Sequence, residues 1–152
     1  MEQRLIDKYG RALDYLRLSV TDRCNFRCYY CMPEEGMNFV QRNDLLTYEE
    51  LDYLTGLFVD LGVKKIRITG GEPFVRKGIL DFIELLSNNQ GLKEITLTSN
   101  GSITKAQINR LATFGIKKVN ISLDALDPKR FFEITRRDKF EDVMNCIFNL
   151  LS

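Results

Sequence analysis

Three cysteines, Cys24, Cys28 and Cys31, lie within eight positions of the chain. This crowding is poor geometry for disulfide bonds among them and good geometry for one metal centre. Thiolates are the standard protein ligands of iron-sulfur clusters, and the CxxxCxxC spacing can bind three irons of a cubane. The fourth iron is then left without a cysteine. An open coordination position on a redox-active metal favours catalysis over simple electron transfer.

Two other functions of these cysteines stay open at this point. Cys28 and Cys31 alone form a CxxC pair of the thioredoxin type, which requires a helix start and leaves Cys24 without a role. The three cysteines together with Cys146 would form a structural zinc site. Because Cys146 lies in an apolar helical pattern, we predict that it packs in the core, as buried free cysteines commonly do.

A second motif, Gly-Gly-Glu-Pro, occupies residues 70–73 directly after a β-rich run. The consecutive glycines, Gly70 and Gly71, allow a ligand to approach the backbone closely. Glu72 supplies a fixed carboxylate that suits an ammonium group. On its own this sequence would be only a tight turn, so it is specific only in combination with the cysteines.

The elements that must position these groups form a repeated βα pattern. Four β-rich runs, each followed by a turn and a helical pattern, predict parallel strands near 15–20, 65–69, 94–98 and 118–123. Apolar and polar residues alternate along every strand, so the apolar set lies under the helices and the polar set faces one common space. Such a polar inner face favours a wide or incomplete barrel over an open sheet with one solvated face. Ligand chemistry in these folds collects at the carboxyl ends of the strands, where the motifs lie.

Helix starts are also predicted from local signals. Thr47 with Glu50, and Thr104 with Gln107, have the capping-box form. Asp138 with Glu141 is a weaker version of the same signal.

Arg17 and Arg67 lie on the polar face of the first two strands. Two arginines inside a barrel need anionic partners, and their guanidinium groups match a carboxylate or a phosphate. The third and fourth strands end in hydroxyl- and amide-rich segments, residues 98–101 and 120–124, at the same edge. These features predict an anionic ligand. The basic pair Arg136–Arg137, in contrast, is typical of a solvated helix end.

The composition sets limits on the function. The 152 residues are 44% apolar and 28% charged, which is ordinary for one globular domain and too apolar for a disordered chain. A net charge of +1 predicts no general attraction to nucleic acid or membrane. Histidine is absent, which excludes Cys/His zinc sites and histidine acid-base catalysis. The start opens no apolar signal region and no apolar run approaches the length of a membrane helix, so we expect a cytoplasmic protein.

Together, the CxxxCxxC motif with its aromatic Tyr30 and the Gly-Gly-Glu-Pro motif resemble the radical S-adenosylmethionine (SAM) superfamily. Within it, the longer stretches 16–28, 63–73 and 119–127 resemble the GTP-cyclising family of molybdenum cofactor biosynthesis. The resemblance implies a partial (β/α) barrel of the radical SAM type. Residues 1–152 would form about the first four of six βα units.

The resemblance also implies roles for individual residues. Cys24, Cys28 and Cys31 ligate a 4Fe-4S cluster, whose open iron is chelated by the amino and carboxylate groups of SAM. The positions implied to contact SAM are Tyr30, Gly70, Gly71, Glu72 and Ser122, and those implied to contact the substrate GTP are Arg17, Arg67 and Thr98. The three GTP positions and Ser122 belong to the polar strand face predicted above.

The implied reaction begins with one-electron reduction of the cluster, which cleaves SAM to methionine and a 5′-deoxyadenosyl radical. The radical takes the 3′ hydrogen of GTP, and the ribose carbon then bonds to C8 of guanine to give 3′,8-cyclo-7,8-dihydro-GTP. The cofactor supplies this chemistry, while the protein orients the reactants and excludes water. The implied partners are GTP and a reductant for the cluster, without nucleic acid or membrane.

The sequence departs from the family in two respects. Family members are longer and hold a second cluster through three cysteines near the carboxyl end, whereas this chain stops at Ser152 inside the fourth helical pattern. Ser99 stands where the family has a second threonine. We therefore expect the amino-terminal part of a radical SAM core domain that does not cyclise GTP alone. A homodimer, or association with a separate carboxyl-terminal half, is a further hypothesis.

Two alternative functions remain. Another radical SAM reaction, such as peptide maturation or activation of a second enzyme, shares both motifs, although Arg17 and Arg67 argue against it. A non-catalytic module that folds around a cluster is the other alternative. The exposed strand edge near 118–123 favours a partner chain in that case.

Overall fold

Parallel strands alternate with helices along the chain. The computed structural model describes residues 4–33 and 35–152. The strands in these ranges are β1 (Tyr15–Ser19), β2 (Lys65–Thr69), β3 (Glu94–Ser99) and β4 (Lys118–Ile121). The α-helices are α1 (Tyr48–Asp60), α2 (Ile79–Ser87), α3 (Lys105–Thr113), α4 (Pro128–Thr135) and α5 (Phe140–Leu151), with short 3-10 helices at Arg42–Asp44 and Pro73–Val75. None of the helices in the described ranges is both long and apolar enough to cross a membrane.

The strands form one sheet in the order β1-β2-β3-β4, and every neighbouring pair is parallel. A doubly wound sheet would reverse its strand order at a switch point. Here the chain winds in one direction only, as in a (β/α) barrel. The predicted four βα units in barrel order are therefore confirmed.

The strands turn their apolar side chains toward the helices. Ile66, Ile68 and Leu97 are fully buried. They share one core with residues of α1, α2 and α3, namely Leu51, Ile79, Phe82, Ile83, Leu86 and Leu111. Burial of side chains of this size stabilises the fold by about 1.5–3 kcal/mol each. The polar residues between them therefore lie on the opposite face, as the alternation predicts.

Local signals set most helix boundaries. Thr47 and Glu50 form the predicted capping box of α1, with Thr47 Oγ1 3.2 Å from the Glu50 amide and Glu50 Oε2 2.7 Å from the Thr47 amide. A second capping box starts α3, also as predicted. The predicted cap at Asp138 is wrong, because α5 begins after Lys139 and has no side-chain cap.

Candidate metal centre

A long loop after β1 carries the three clustered cysteines. We call residues 21–33 the cysteine loop. Cys24 and Cys28 are half-buried, Cys31 is exposed, and all three thiols are free. Burial raises the pKa of the Cys24 and Cys28 thiols above the ordinary value. Metal binding at these thiols therefore has to displace their protons.

The end of β2 holds the start of the cysteine loop. The Gly71 and Glu72 amides donate to the carbonyl oxygens of Thr21 (2.6 Å) and Arg23 (2.8 Å), respectively. A Cβ atom on Gly70 would lie 2.5 Å from the Thr21 oxygen, and one on Gly71 would overlap the Arg23 carbonyl. The sequence predicts that these glycines admit a ligand. In the structure they admit the backbone of the cysteine loop, and their contact with a cofactor stays a prediction.

The end of β3 supports the first cysteine. Asn100 Nδ2 lies 3.6 Å from Cys24 Sγ and 2.9 Å from Asn25 Oδ1. The Phe26 amide also donates to Cys24 Sγ, at 3.3 Å. Hydrogen bonds to sulfur stabilise a thiolate ligand and tune the potential of a cluster. Asn100 was not among the predicted site residues, because Asn-Gly by itself indicates only a turn.

The carboxyl end of α4 supports the middle of the cysteine loop. The Arg27 amide donates to the Thr135 carbonyl and the Tyr29 amide to the Ile134 carbonyl, both at 3.0 Å. The last carbonyls of a helix have no partner within the helix. Here the cysteine loop satisfies two of them, which fixes the loop around Cys28.

The Arg136–Arg137 pair also has a structural role that the sequence did not predict. Arg136 has a left-handed backbone (φ 53°) and ends α4. Arg137 Nε donates to the Asn25 carbonyl at 3.1 Å. The expectation of a merely solvated pair is therefore wrong for Arg137, which holds the cysteine loop.

Glu72 is completely buried behind the loop. Its oxygens accept hydrogen bonds from Ser99 Oγ (3.0 and 3.1 Å), the Asn100 amide (2.7 Å) and the Phe74 amide (3.1 Å). Burial raises the pKa of Glu72, and these hydrogen bonds act in the opposite direction. Glu72 thus connects the ends of β2 and β3, and its predicted contact with an ammonium group stays a prediction.

Glu72→Gln should lower the free energy of unfolding by about 1–3 kcal/mol, the cost of a buried donor left without an acceptor. Either orientation of the new amide turns its NH₂ group toward the Asn100 or the Phe74 amide, and both are donors. Urea unfolding of the metal-free protein measures the change. Glu84→Gln is the matched control, because Glu84 is exposed and pairs with Arg110 at 3.3 Å. Loss of this surface ion pair should lower the free energy of unfolding by less than about 1 kcal/mol. An equal loss of stability in the two variants would contradict the role of Glu72 in connecting the ends of β2 and β3.

Tyr30 connects the cysteine loop to the far side of the sheet. Its hydroxyl donates to Asp124 Oδ2 at 2.8 Å, just beyond β4. Burial and this hydrogen bond raise the pKa of Tyr30. The Ser122 amide donates to the Ser99 carbonyl at 2.8 Å, so Ser122 lies at the same edge. Asp124 was not singled out as a site residue in the sequence.

The predicted anion-binding residues share the polar face of the sheet. Arg17 and Arg67 are direct partners across the β1–β2 pair. Arg67 Nε lies 3.4 Å from Thr96 Oγ1, and Thr98 is paired with Asn120 further toward the carboxyl edge. In the part of the chain that the structure describes, neither guanidinium forms an ion pair with a carboxylate. Two neighbouring cations without a carboxylate fit an anionic ligand.

The alternative roles of the cysteines fit the geometry less well. Cys28 lies in irregular structure and Cys31 in a turn, so neither is at a helix start. The raised pKa of Cys28 is also opposite to that of a thioredoxin-type thiol. Within residues 4–33 and 35–152, no three Cys, Asp or Glu side chains are gathered closely enough to share one metal ion. Cys146 is 1% exposed and packs with Ile103 and Ile108, as predicted. In a cubane each cysteine bonds to a different iron, so the three thiols of a cluster site do not have to converge on one metal ion.

Comparison with known sequences agrees with these features. The sequence model of the radical SAM superfamily matches residues 18–152. Two similar curated relatives, from Peptoclostridium acidaminophilum and Thermodesulfovibrio yellowstonii, are both named GTP 3′,8-cyclase. They are 52% identical over 143 residues and 49% identical over 142 residues, respectively. The matches cover 94% and 93% of this chain but 44% of each relative, so the chain spans less than half of their length.

A solved structure supports the fold. Streptococcus suis SuiB bound to its precursor peptide SuiA superposes with a TM-score of 0.70 over 90% of this chain and 30% of the SuiB chain. The two sequences are 21% identical, so the likeness concerns the fold alone. With the sequence match, it confirms the predicted partial barrel of the radical SAM type.

Proposed function

This chain belongs to the radical SAM superfamily, and we propose that its cysteine loop holds a 4Fe-4S cluster through Cys24, Cys28 and Cys31. When bound and reduced, such a cluster supplies the electron that cleaves SAM into methionine and a 5′-deoxyadenosyl radical. One observation carries the proposal. Three free thiols lie on a single loop, and this loop is held in place by hydrogen bonds from the ends of β2, β3 and α4.

In this proposal SAM binds at the carboxyl edge of the sheet, against the cysteine loop. Tyr30 and Ser122 flank this edge on the β4 side, and Gly70 and Gly71 flank it on the β2 side. Glu72, buried behind the cysteine loop, connects the ends of β2 and β3 at this edge. Because Glu72 is completely buried, a direct contact with the SAM ammonium group requires one of its oxygens to become accessible to the ligand.

We propose GTP as the substrate and 3′,8-cyclo-7,8-dihydro-GTP as the product, in molybdenum cofactor biosynthesis. The proposal is supported by about 50% identity to the two GTP 3′,8-cyclases and by the cationic strand face. Arg17 and Arg67 would bind the phosphates as charged donors, and the Thr98 hydroxyl would add a hydrogen bond. The cluster also needs a one-electron reductant, and four free cysteines suit a reducing compartment such as the cytoplasm.

Anaerobic reconstitution of this chain with iron and sulfide tests the proposal. We expect a brown protein whose reduced electron paramagnetic resonance signal changes when SAM is added, because SAM then coordinates the open iron. Release of 5′-deoxyadenosine under reducing conditions reports SAM cleavage. A colourless protein with stoichiometric zinc, or a cluster signal indifferent to SAM, would contradict the proposal.

Arg67→Gln should weaken GTP binding about tenfold or more, because a hydrogen bond to a charged group contributes roughly 1.5–3 kcal/mol. Equilibrium dialysis of labelled GTP against the reconstituted protein measures the affinity. Arg110→Gln is the matched control: it removes the same charge from α3, where Arg110 pairs with Asp81 and Glu84. The control should bind GTP like the wild type. An equal loss in both variants would indicate a general charge effect and exclude a specific site at Arg67.

A further inference from the structure

A cavity of about 310 Å³ opens where the cysteine loop meets the segments that lead into α1 and α2. Its lining residues are Thr21, Arg23, Arg42, Leu45, Val75, Arg76 and Lys77. None of these described residues is acidic. We call Arg23, Arg42, Arg76 and Lys77 the basic surface. With four cations, this surface carries a concentrated positive potential next to the predicted metal ligands.

Three of the four charges are available to a partner. Arg23, Arg42 and Lys77 are exposed. In the described ranges, none of them forms an ion pair with a carboxylate. Asp22, the acidic neighbour of Arg23, directs its carboxylate to the Val40 amide at 2.6 Å. The exposed cations therefore keep their charge for an external anion.

Arg76, the fourth cation of the basic surface, is held in place by contacts within the protein. Its guanidinium donates to the carbonyl oxygens of Val20 and Leu46, both at 2.6 Å. It also lies 4.2 Å from the centroid of the Tyr48 ring. Because these contacts join the end of β1 to the start of α1, the surface is preformed.

The basic surface lies beside the cysteine loop and apart from the proposed ligand face. Arg23 is bonded directly to Cys24, so a partner docked on Arg23 lies next to a cluster ligand. The lining comes from loop segments and does not include the polar strand residues Arg17 and Arg67. A partner can therefore dock here while SAM and GTP occupy the polar face.

We propose that the basic surface docks an acidic electron-transfer protein that reduces the cluster. The inference rests on the proposed function, because it requires a cluster on the cysteine loop. The donor, a protein with a reduced flavin or iron-sulfur centre, loses one electron, and the cluster passes from the 2+ to the 1+ state without transfer of any atom. Complementary charge raises the association rate of such pairs about 10- to 1,000-fold.

A protein partner fits the charge pattern better than a compact anion. The exposed cations lie on three separate chain segments, before Cys24, before α1 and before α2. Arg76 already donates to two carbonyls. Several carboxylates on a protein surface can pair with all three exposed cations at once, whereas one inorganic phosphate carries at most about two negative charges.

The test compares two triple variants of the reconstituted protein with a bacterial flavodoxin as the probe. Arg23→Gln, Arg42→Gln and Lys77→Gln together remove the exposed charges. The control combines Lys64→Gln, Lys93→Gln and Lys117→Gln, which remove equal charge directly before β2, β3 and β4 at the opposite edge of the sheet. Calorimetry measures flavodoxin affinity, and stopped-flow absorbance measures cluster reduction by reduced flavodoxin.

At low salt we expect the first variant to lose at least about tenfold in affinity and in reduction rate, and the control to match the wild type. High salt should remove the difference, because it screens exposed charges. Reduced methyl viologen, a small cationic reductant, should reduce all three proteins and support SAM cleavage equally. The docking proposal would be overturned if the first variant bound flavodoxin as tightly as the wild type. It would also be overturned if the protein bound only inorganic phosphate, at low millimolar concentration. Either result would leave the cluster assignment intact. A wild type that assembles no cluster would instead overturn the proposed function.

Discussion

Replacement of any one of Cys24, Cys28 and Cys31 with alanine should abolish assembly of the iron-sulfur cluster. Each thiolate is expected to bond to a different iron, and alanine offers no donor in its place. Iron and sulfide content after anaerobic reconstitution measures the loss, and SAM cleavage should disappear with the cluster. The metal-free variants should unfold within about 1 kcal/mol of the wild type, because these side chains lie outside the fully buried core.

Cys146→Ala is the control for this prediction. Cys146 lies in the core with Ile103 and Ile108, so the variant should lose about 1 kcal/mol of stability and keep full cluster content. Loss of the metal in Cys146→Ala as well as in the three other cysteine variants would instead indicate a four-cysteine site.

Gly71→Ala should disrupt the packing of the cysteine loop against the end of β2. The new methyl group would overlap the Arg23 carbonyl and lie 2.7 Å from the Asp22 carbonyl oxygen, and both are backbone atoms that cannot rotate away. The loop must shift, which breaks the short Gly71–Thr21 hydrogen bond of 2.6 Å. We expect a loss of about 1–3 kcal/mol in the free energy of unfolding, typical of overpacking, together with reduced cluster content. Urea unfolding of the metal-free protein isolates this effect from any contact with SAM.

Gly56→Ala is the matched control for Gly71→Ala. Gly56 lies inside α1, and a Cβ atom there would meet nothing within 4 Å. Alanine is the better helix former, so this variant should be more stable by about 0.5–1 kcal/mol and should keep its cluster. If Gly71→Ala were as harmless as Gly56→Ala, the close approach of the cysteine loop to β2 would not be a structural requirement.

All four strands contribute to the candidate site. The cysteine loop follows β1, the end of β2 binds its start, Asn100 after β3 bonds to Cys24, and Asp124 after β4 bonds to Tyr30. Cluster assembly should therefore depend on the intact sheet. In the proposed site the cysteine motif would supply the ligands, and the sheet would set their positions.

Features that depend on neighbouring residues were predicted well. The strands agree with the sequence within two residues at each end, since alternation of apolar and polar residues is a local signal. The capping box at Thr47 is also local, because its partner Glu50 lies one helical turn away. The cysteine spacing is local in the same way. The predicted cap at Asp138 is wrong because α5 begins one residue later, after Lys139, and no side chain accepts a hydrogen bond from its first amides.

Features that join distant residues were missed or assigned a different role. Tyr30 and Asp124 are 94 positions apart, and Arg137 and Asn25 are 112 positions apart. No sequence pattern indicates such pairs, because only the parallel sheet brings the ends of its strands together. Glu72 illustrates the same limit: its motif indicates a ligand site, but its burial depends on β3.

The sequence by itself determined the βα order and the polar strand face, and it predicted the ligand set of the candidate cluster. Those properties follow from spacing and period, which act over a few residues. Only the tertiary structure decided how the cysteine loop is held, that Gly70 and Gly71 face its backbone, and that four cations meet beside Cys24. The physical reason is that these contacts join segments far apart in the chain, and their distances are set by the packing of the sheet and helices.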